Sequence, residues 1–135
     1  LPIAKAISAI QSHSTSNPTS FAQSGAVEAL DGPQDHLDEW LGHFSQRRSF
    51  ACEKLNAIKG VSCVNSEGAF YLFPNISGTG MKSVEFCERL LAEVKVAAVP
   101  GIAFGSDDYI RISYATSMEN LQQALGRVES FVGSL

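Results

Sequence analysis

Apolar residues recur every three or four positions in five stretches of the chain. This spacing places them on one face of a helix, so each stretch is predicted to form an amphipathic helix. Gly60 follows the third stretch, at the position where a left-handed residue commonly ends a helix. The second helix is predicted to pack closely through its small residues Gly25 and Ala29, together with Phe21. The five predicted helices cover residues 1–12, Thr19–Leu30, Pro33–Ile58, Lys82–Glu93 and 117–132.

Four shorter apolar runs are predicted to be β-strands, because they are brief and lie between turn-forming residues. In the last run, Ile110 and Ile112 point to one face of the sheet, and Arg111 and Ser113 point to the other. The order of elements predicts an α+β fold, in which helices flank a small mixed or antiparallel sheet. The four predicted strands cover residues 61–64, 69–73, 96–99 and 109–114.

The two ends of the chain differ in helix capping. Either Thr116 or Ser117 can cap the last helix through its hydroxyl group. The first helix, by contrast, starts at Leu1 with Ile7 and Ile10 already at helical spacing, and no capping residue precedes them. Because the free amides of a helix start normally need a cap, we expect the chain to be a piece of a longer protein.

Composition narrows the classes of partner. The chain has 135 residues, 44% of them hydrophobic, with 10 Lys plus Arg against 14 Asp plus Glu. This mild acidity favours neither a nucleic acid nor an anionic membrane as a partner. Cys52, Cys63 and Cys87 lack the close spacing of zinc ligands, so we expect buried free thiols and no metal site.

Three segments contain residues that could carry chemistry. Ser16 and Asn17 lie in a run of hydroxyl and amide side chains before a helix, which could bind a phosphate or form an ordinary capped turn. Phe70 could wall a ligand pocket, although aromatic residues at strand spacing more often fill a core. Arg111 has a planar guanidinium that fits a carboxylate, but it could equally pair with an internal acid or face solvent.

These segments, taken in order, resemble class I aminotransferases, and in particular the bacterial and plastid aspartate aminotransferases that include prephenate aminotransferases. The resemblance covers essentially the whole chain, and the motif around Arg111 is the most specific. The matching segments are Ser14-Thr15-Ser16-Asn17-Pro18 with Gln23, Glu67-Gly68-Ala69-Phe70-Tyr71, Val99-Pro100-Gly101 with Phe104-Gly105, and Ile110-Arg111-Ile112-Ser113-Tyr114-Ala115.

The resemblance implies a fold, a cofactor and site residues. The chain would be the small carboxy-terminal domain of the type I fold of pyridoxal-phosphate enzymes, with residues 1–30 connecting to a large domain and residues 31–135 forming the small domain. Arg111 would bind the substrate α-carboxylate, Phe70 and Asn17 would contribute to the substrate site, and Ser16 would lie near the cofactor phosphate. Pyridoxal 5'-phosphate would bind mainly to the large domain. The substrates would be an amino acid and a 2-oxo acid, and the full-length protein would be a homodimer.

Two departures from the family pattern limit this reading. Ser12 stands where many aspartate aminotransferases carry an arginine for the second carboxylate, and His13 is a weak substitute, so dicarboxylate specificity stays open. No lysine of the chain has the family's Ser-x-x-Lys setting, so no catalytic residue is assigned and the chain alone is expected to be inactive. The lysines are Lys5, Lys54, Lys59, Lys82 and Lys95.

Two hypotheses follow. The first is the carboxy-terminal part of an aminotransferase, with aspartate or glutamate as the candidate amino acid. The second is a non-enzymatic α+β module that binds a carboxylate or a partner protein. The expected location is the cytoplasm, with a plastid as the alternative.

Overall fold

The computed structural model describes residues 1–135, which divide into two compact units, Leu1–Asp38 and Glu39–Leu135. Five helices and a three-stranded sheet are present, which confirms the predicted α+β class. The division of the chain into residues 1–30 and 31–135 stays a prediction. The helices are α1 (Pro2–Ser14), α2 (Ser20–Asp31), α3 (Asp35–Ala57), α4 (Ser83–Val94) and α5 (Met118–Gly133).

The first unit contains α1, α2 and the start of α3. Thr19 occupies the N-cap position of α2 as predicted, but its side chain accepts no capping hydrogen bond. No residue of α1 or α2 is buried. No residue of this chain covers the predicted close-packing face of α2, since Phe21 is 78% exposed and no atom would contact a side chain at Gly25. The apolar stripes of both helices are accessible to solvent.

The helix α3 begins two residues later than the sequence pattern indicated, at Asp35, so Pro33 lies before its first turn. It ends at Ala57, and Gly60 follows with a left-handed φ of 87°, as predicted. A side chain at Gly60 would come within 2.8 Å of the backbone of Gly78. Glycine is thus required here both by its φ angle and by the close approach of a second chain segment.

The sheet is antiparallel, and the last strand in the chain lies between the other two. Tyr71 pairs with Ser113, and Val99 pairs with Arg111, so Arg111 lies on the central strand. Each strand is shorter than the apolar run that predicted it, and the run at residues 96–99 pairs only at Val99. The strands are β1 (Tyr71–Leu72), β2 (Val99–Pro100) and β3 (Ile110–Ser113).

The predicted strand at residues 61–64 is wrong, because only Ser62 pairs with another segment, in a single bridge to Asn75. The reason lies one residue further along. The N–H of Cys63 donates to Asn56 Oδ1 at 2.9 Å, and Asn56 Nδ2 donates to the Cys63 carbonyl at 2.8 Å. The backbone groups that a strand would use are therefore occupied by a side chain of α3.

One hydrophobic core lies in the second unit, between the sheet and the helices α3, α4 and α5. Phe86 and Phe131 meet edge to face at its centre, with ring centroids 5.3 Å apart. Burial of a side chain of this size contributes about 1.5–3 kcal/mol. Ile110 and Ile112 point into this core while Ser113 is exposed, which confirms the predicted alternation of β3.

The remaining predictions concern a cap and the thiols. Ser117 caps α5, its hydroxyl oxygen accepting from the N–H of Asn120 at 3.1 Å. Cys52, Cys63 and Cys87 are free and buried, as expected. None of the five helices combines the length and the apolar composition that a membrane-spanning helix requires.

Candidate functional site

Arg111 is the charged residue at the centre of the sheet. Its neighbours Ile110 and Ile112 alternate into the core, so the arginine side chain stands on the opposite face, half-buried. Its guanidinium carbon lies 4.4 Å from the ring centre of Tyr71 and 4.7 Å from that of Phe104. None of the ion pairs in the chain involves Arg111. The sequence left open an ion pair between Arg111 and an internal acidic residue, and the structure contains no such pair.

A cleft of about 140 Å³ opens beside the guanidinium. Its walls come from β1, β3, the start of β2 and the two residues before it, and Arg111 is the only charged residue among them. A planar guanidinium with unpaired N–H groups in a mostly apolar wall is suited to a carboxylate, which accepts two parallel hydrogen bonds. The cleft is lined by Tyr71, Ala97, Ala98, Val99, Arg111 and Ser113.

Aromatic rings surround this position on the same face of the sheet. Phe104 meets Phe73 edge to face with a centroid distance of 5.9 Å, and Phe73 stacks on Tyr109 at 5.0 Å. The two rings in contact with Arg111, Tyr71 and Phe104, cover part of its half-buried guanidinium. Electrostatic interactions are stronger where water is excluded, so a carboxylate bound here gains more from the charge of Arg111 than it would at an open surface.

Phe70 lies next to this cluster. The sequence spacing favoured a core position for it, but the structure leaves the side chain 42% exposed. Its ring centre is 4.6 Å from that of Tyr71, the residue that contacts Arg111. The Tyr114 hydroxyl donates to the Ala69 carbonyl at 2.8 Å and holds the backbone before Phe70. Phe70 and Arg111 are therefore brought together, with Tyr71 between them.

Ser16 and Asn17 lie in the first compact unit, in the turn between α1 and α2. Ser16 has a left-handed φ of 59°, and its hydroxyl donates to the Ser12 carbonyl at 3.4 Å. The N–H of Asn17 donates to the Thr15 carbonyl at 2.8 Å. The turn thus uses its backbone N–H and its serine hydroxyl for internal hydrogen bonds, and the side-chain amide of Asn17 remains the available donor.

The lysines do not approach the Arg111 cleft. Lys82 Nζ lies 2.6 Å from Asp108 Oδ1, and this hydrogen bond raises the pKa of Lys82 above its ordinary value of 10.5. Lys95 Nζ donates to the Ala92 carbonyl at 2.7 Å. Both amines are engaged in hydrogen bonds away from the cleft, so neither lysine is placed for covalent binding of an aldehyde cofactor there.

The sequence reasoning missed the roles of Tyr71 and Phe104. Both residues occur in the motifs that it identified, but no function was assigned to them. The usable signal was the presence of aromatic residues, and the absence of acidic ones, in the segments on either side of β3 in the sheet, because an aromatic face attracts a guanidinium.

A model of the family described as aminotransferase class I and II matches residues 2–128 of the chain. The chain belongs to this family. The family recognised from the sequence motifs is thereby confirmed, and pyridoxal phosphate is the cofactor typical of it.

Several curated proteins are similar in sequence to this chain. The aspartate aminotransferase of Bacillus subtilis (strain 168) is 50% identical, over 96% of this chain and 34% of the relative. The probable aspartate/prephenate aminotransferase of Rickettsia felis is 48% identical, over 97% of this chain and 34% of the relative. The chain therefore spans about a third of the length of these two relatives.

Solved structures of aminotransferases have the same fold. The aspartate aminotransferase from Rhizobium meliloti matches with a TM-score of 0.89 at 42% identity, over 96% of this chain and 35% of that structure. The aromatic aminotransferase from Pyrococcus horikoshii OT3 matches with a TM-score of 0.86 at 37% identity, over 93% of this chain and 34% of that structure. The small α+β domain is thus shared by proteins described as an aspartate and as an aromatic aminotransferase.

Proposed function

We propose that this chain supplies the carboxylate-binding part of an aminotransferase, which transfers an amino group between an amino acid and a 2-oxo acid. The observation that carries the proposal is the guanidinium of Arg111, which contacts two aromatic rings and has no acidic partner within the chain. Aspartate or glutamate is the proposed amino donor, since curated relatives at this level of identity are named aspartate or probable aspartate/prephenate aminotransferases.

Arg111 would bind the α-carboxylate through two parallel hydrogen bonds and so fix the orientation of the substrate Cα. Phe70, partly exposed beside Tyr71, would cover the substrate and exclude water. Asn17 would add an amide donor to the substrate site, and Ser16 would lie beside the cofactor phosphate. Pyridoxal phosphate supplies the electron sink that amino transfer requires.

The residues of this chain do not fit covalent attachment of that cofactor. Lys82 and Lys95 are engaged elsewhere, and no lysine lines the cleft at Arg111. We therefore propose that the attachment site belongs to the part of the full-length protein outside this chain. The chain corresponds to only 34% of the length of its curated relatives.

The exposed apolar faces of α1 and α2 support this division. Ile3 on α1 is 77% exposed, and Phe21 and Leu30 on α2 are 78% and 80% exposed. Faces of this kind mark interaction surfaces. We propose that they contact the remainder of the full-length protein, within one subunit or across a homodimer.

The test is transamination by the full-length protein that contains this chain, with aspartate and 2-oxoglutarate as substrates. Arg111→Ala is expected to lower kcat/KM by roughly a hundredfold or more, because a bidentate hydrogen bond to a charged group is lost. Arg127→Ala is the matched control, since this exposed arginine contacts only the Val94 carbonyl. Equal values of kcat/KM in the two variants would remove Arg111 from the substrate site.

A further inference from the structure

We infer that Phe104 is a positioning residue, which holds the guanidinium of Arg111 in the orientation that receives a substrate carboxylate. This inference rests on the proposed function and adds a residue to it. Tyr71 lies in β1 and Phe104 lies in the turn that follows β2, so the two rings that contact Arg111 come from segments beside the two strands that flank β3. The arginine is thus in contact with an aromatic ring from each side of its own strand.

Phe104 is held in place although its side chain is 50% exposed. It ends a short 3-10 turn, Gly101–Phe104, whose first N–H donates to the Tyr109 carbonyl at 2.8 Å. The Ser106 N–H returns to the Gly101 carbonyl at 3.0 Å. A side chain at Gly101 would collide with the carbonyl oxygens of Tyr109 and Ser106. The turn is therefore packed directly on the start of β3, which carries Arg111.

A second anchor comes from the start of α4. Ser83 is fully buried, and its hydroxyl donates to Asp107 Oδ1 at 2.6 Å while it accepts from the Ile102 N–H at 3.3 Å. The Ser83 N–H donates to the Asp107 carbonyl at 2.9 Å. One buried hydroxyl thus connects residues on both sides of Phe104. These hydrogen bonds fix the backbone from which the Phe104 ring projects.

The two aromatic rings restrict the orientation of the guanidinium, as an acidic partner would otherwise do. A carboxylate beside Arg111 would fix the guanidinium but would occupy its N–H groups and compete with the substrate. An aromatic face attracts the cation without accepting those hydrogen bonds. Contact with Phe104 and Tyr71 therefore restricts the guanidinium while its donors remain available. Affinity for the carboxylate should depend on the aromatic character of position 104.

The experiment uses the full-length protein with Phe104→Leu, which keeps an apolar side chain but removes the ring, and Phe104→Tyr, which keeps the ring. In Phe104→Leu, the KM values of the amino acid and the 2-oxo acid should rise about fivefold to tenfold, with kcat within about twofold of wild type. In Phe104→Tyr, the two KM values should stay within about twofold of wild type, because the ring is kept. Leu91→Ala, an apolar position with 53% exposure on α4, is the control.

Binding of succinate, a carboxylate that carries no amino group, gives a readout independent of turnover. Its dissociation constant, measured by calorimetry, should rise in Phe104→Leu by the same factor as KM. A loss of kcat with unchanged KM and unchanged succinate binding would mean a structural role only and would overturn the inference. So would a Phe104→Tyr variant that behaves like Phe104→Leu.

The experiment distinguishes failure of the proposed function from failure of the role assigned to Phe104. An inactive wild-type protein would contradict the proposed aminotransferase function. An active wild-type protein whose KM and succinate affinity do not change in Phe104→Leu would contradict only the role of Phe104.

Discussion

The carboxamide of Asn56 pairs with the backbone of Cys63 as a neighbouring strand would. It accepts from the Cys63 N–H at 2.9 Å and donates to the Cys63 carbonyl at 2.8 Å. The same Nδ2 also lies 3.0 Å from the Cys52 carbonyl. One side chain near the end of α3 therefore replaces a strand and joins the helix to the connection that leads into β1.

Asn56→Ala should release this connection. The N–H and the carbonyl of Cys63 each lose their hydrogen bond to Asn56, which lowers the free energy of unfolding by about 1–2 kcal/mol. Native-state hydrogen exchange of the Cys63 amide should accelerate by about tenfold or more, because local opening becomes easier. The exposed Asn65 lies in the same connection, and Asn65→Ala serves as the control. Unchanged protection of the Cys63 amide in Asn56→Ala would show that the pairing does not hold the connection in place.

The same substitution at two glycines should have opposite effects. Gly101→Ala places a methyl group against the carbonyl oxygens of Tyr109 and Ser106, so the backbone must shift. Gly126 lies in α5 with no atom near its added methyl group, and alanine is the better helix former by about 1 kcal/mol. The midpoint of thermal unfolding should fall for Gly101→Ala and stay the same or rise for Gly126→Ala. A fall of equal size in both variants would contradict the packing of the turn at Gly101.

Two buried thiols should make stability depend on alkaline pH. Burial, and secondarily the neighbouring Cys52, raises the pKa of Cys63 from 9.0 to about 12, and burial raises the pKa of Cys87 to about 11. Between pH 9 and 11 the folded protein therefore binds more protons than the unfolded chain, so its stability falls as pH rises. The stabilising contribution is complete below pH 9 and is lost as pH approaches the folded pKa values.

This prediction can be measured by chemical denaturation at several pH values. The free energy of unfolding should fall more steeply above about pH 9 in the wild type than in the Cys63→Ala, Cys87→Ala double variant. Since thiolates are the reactive form, both cysteines should also resist iodoacetamide at about pH 8 until the protein is unfolded. Rapid alkylation of either thiol in the folded protein would contradict their burial.

Much of the fold could be predicted from the sequence. The period of apolar residues predicted all five helices, because a helix repeats its environment every few residues and burial selects that repeat. The caps were predicted in part. Of the two candidates Thr116 and Ser117, Ser117 caps α5, and Gly60 follows α3 with a left-handed φ, but Thr19 makes no capping hydrogen bond to α2. The alternation of Ile110 and Ile112 with Arg111 likewise predicted which face of β3 is buried.

The site could be predicted only in part. Motif resemblance led to Arg111 and Phe70, and the structure places both around Tyr71. The assignments of Ser16 and Asn17 remain predictions. The rings that contact Arg111 could not be predicted from the neighbouring strands, since Phe104 reaches the arginine from a turn after β2.

What the sequence by itself determined was local: helix positions, caps, the alternation of the central strand and the family. Tertiary structure alone decided that residues 61–64 are not a strand, since the competing hydrogen bonds come from a side chain on α3. It also decided that Arg111 contacts the rings of Tyr71 and Phe104. The physical reason is that periodicity reports the environment along one segment. A contact between distant segments depends on how the chain brings them together.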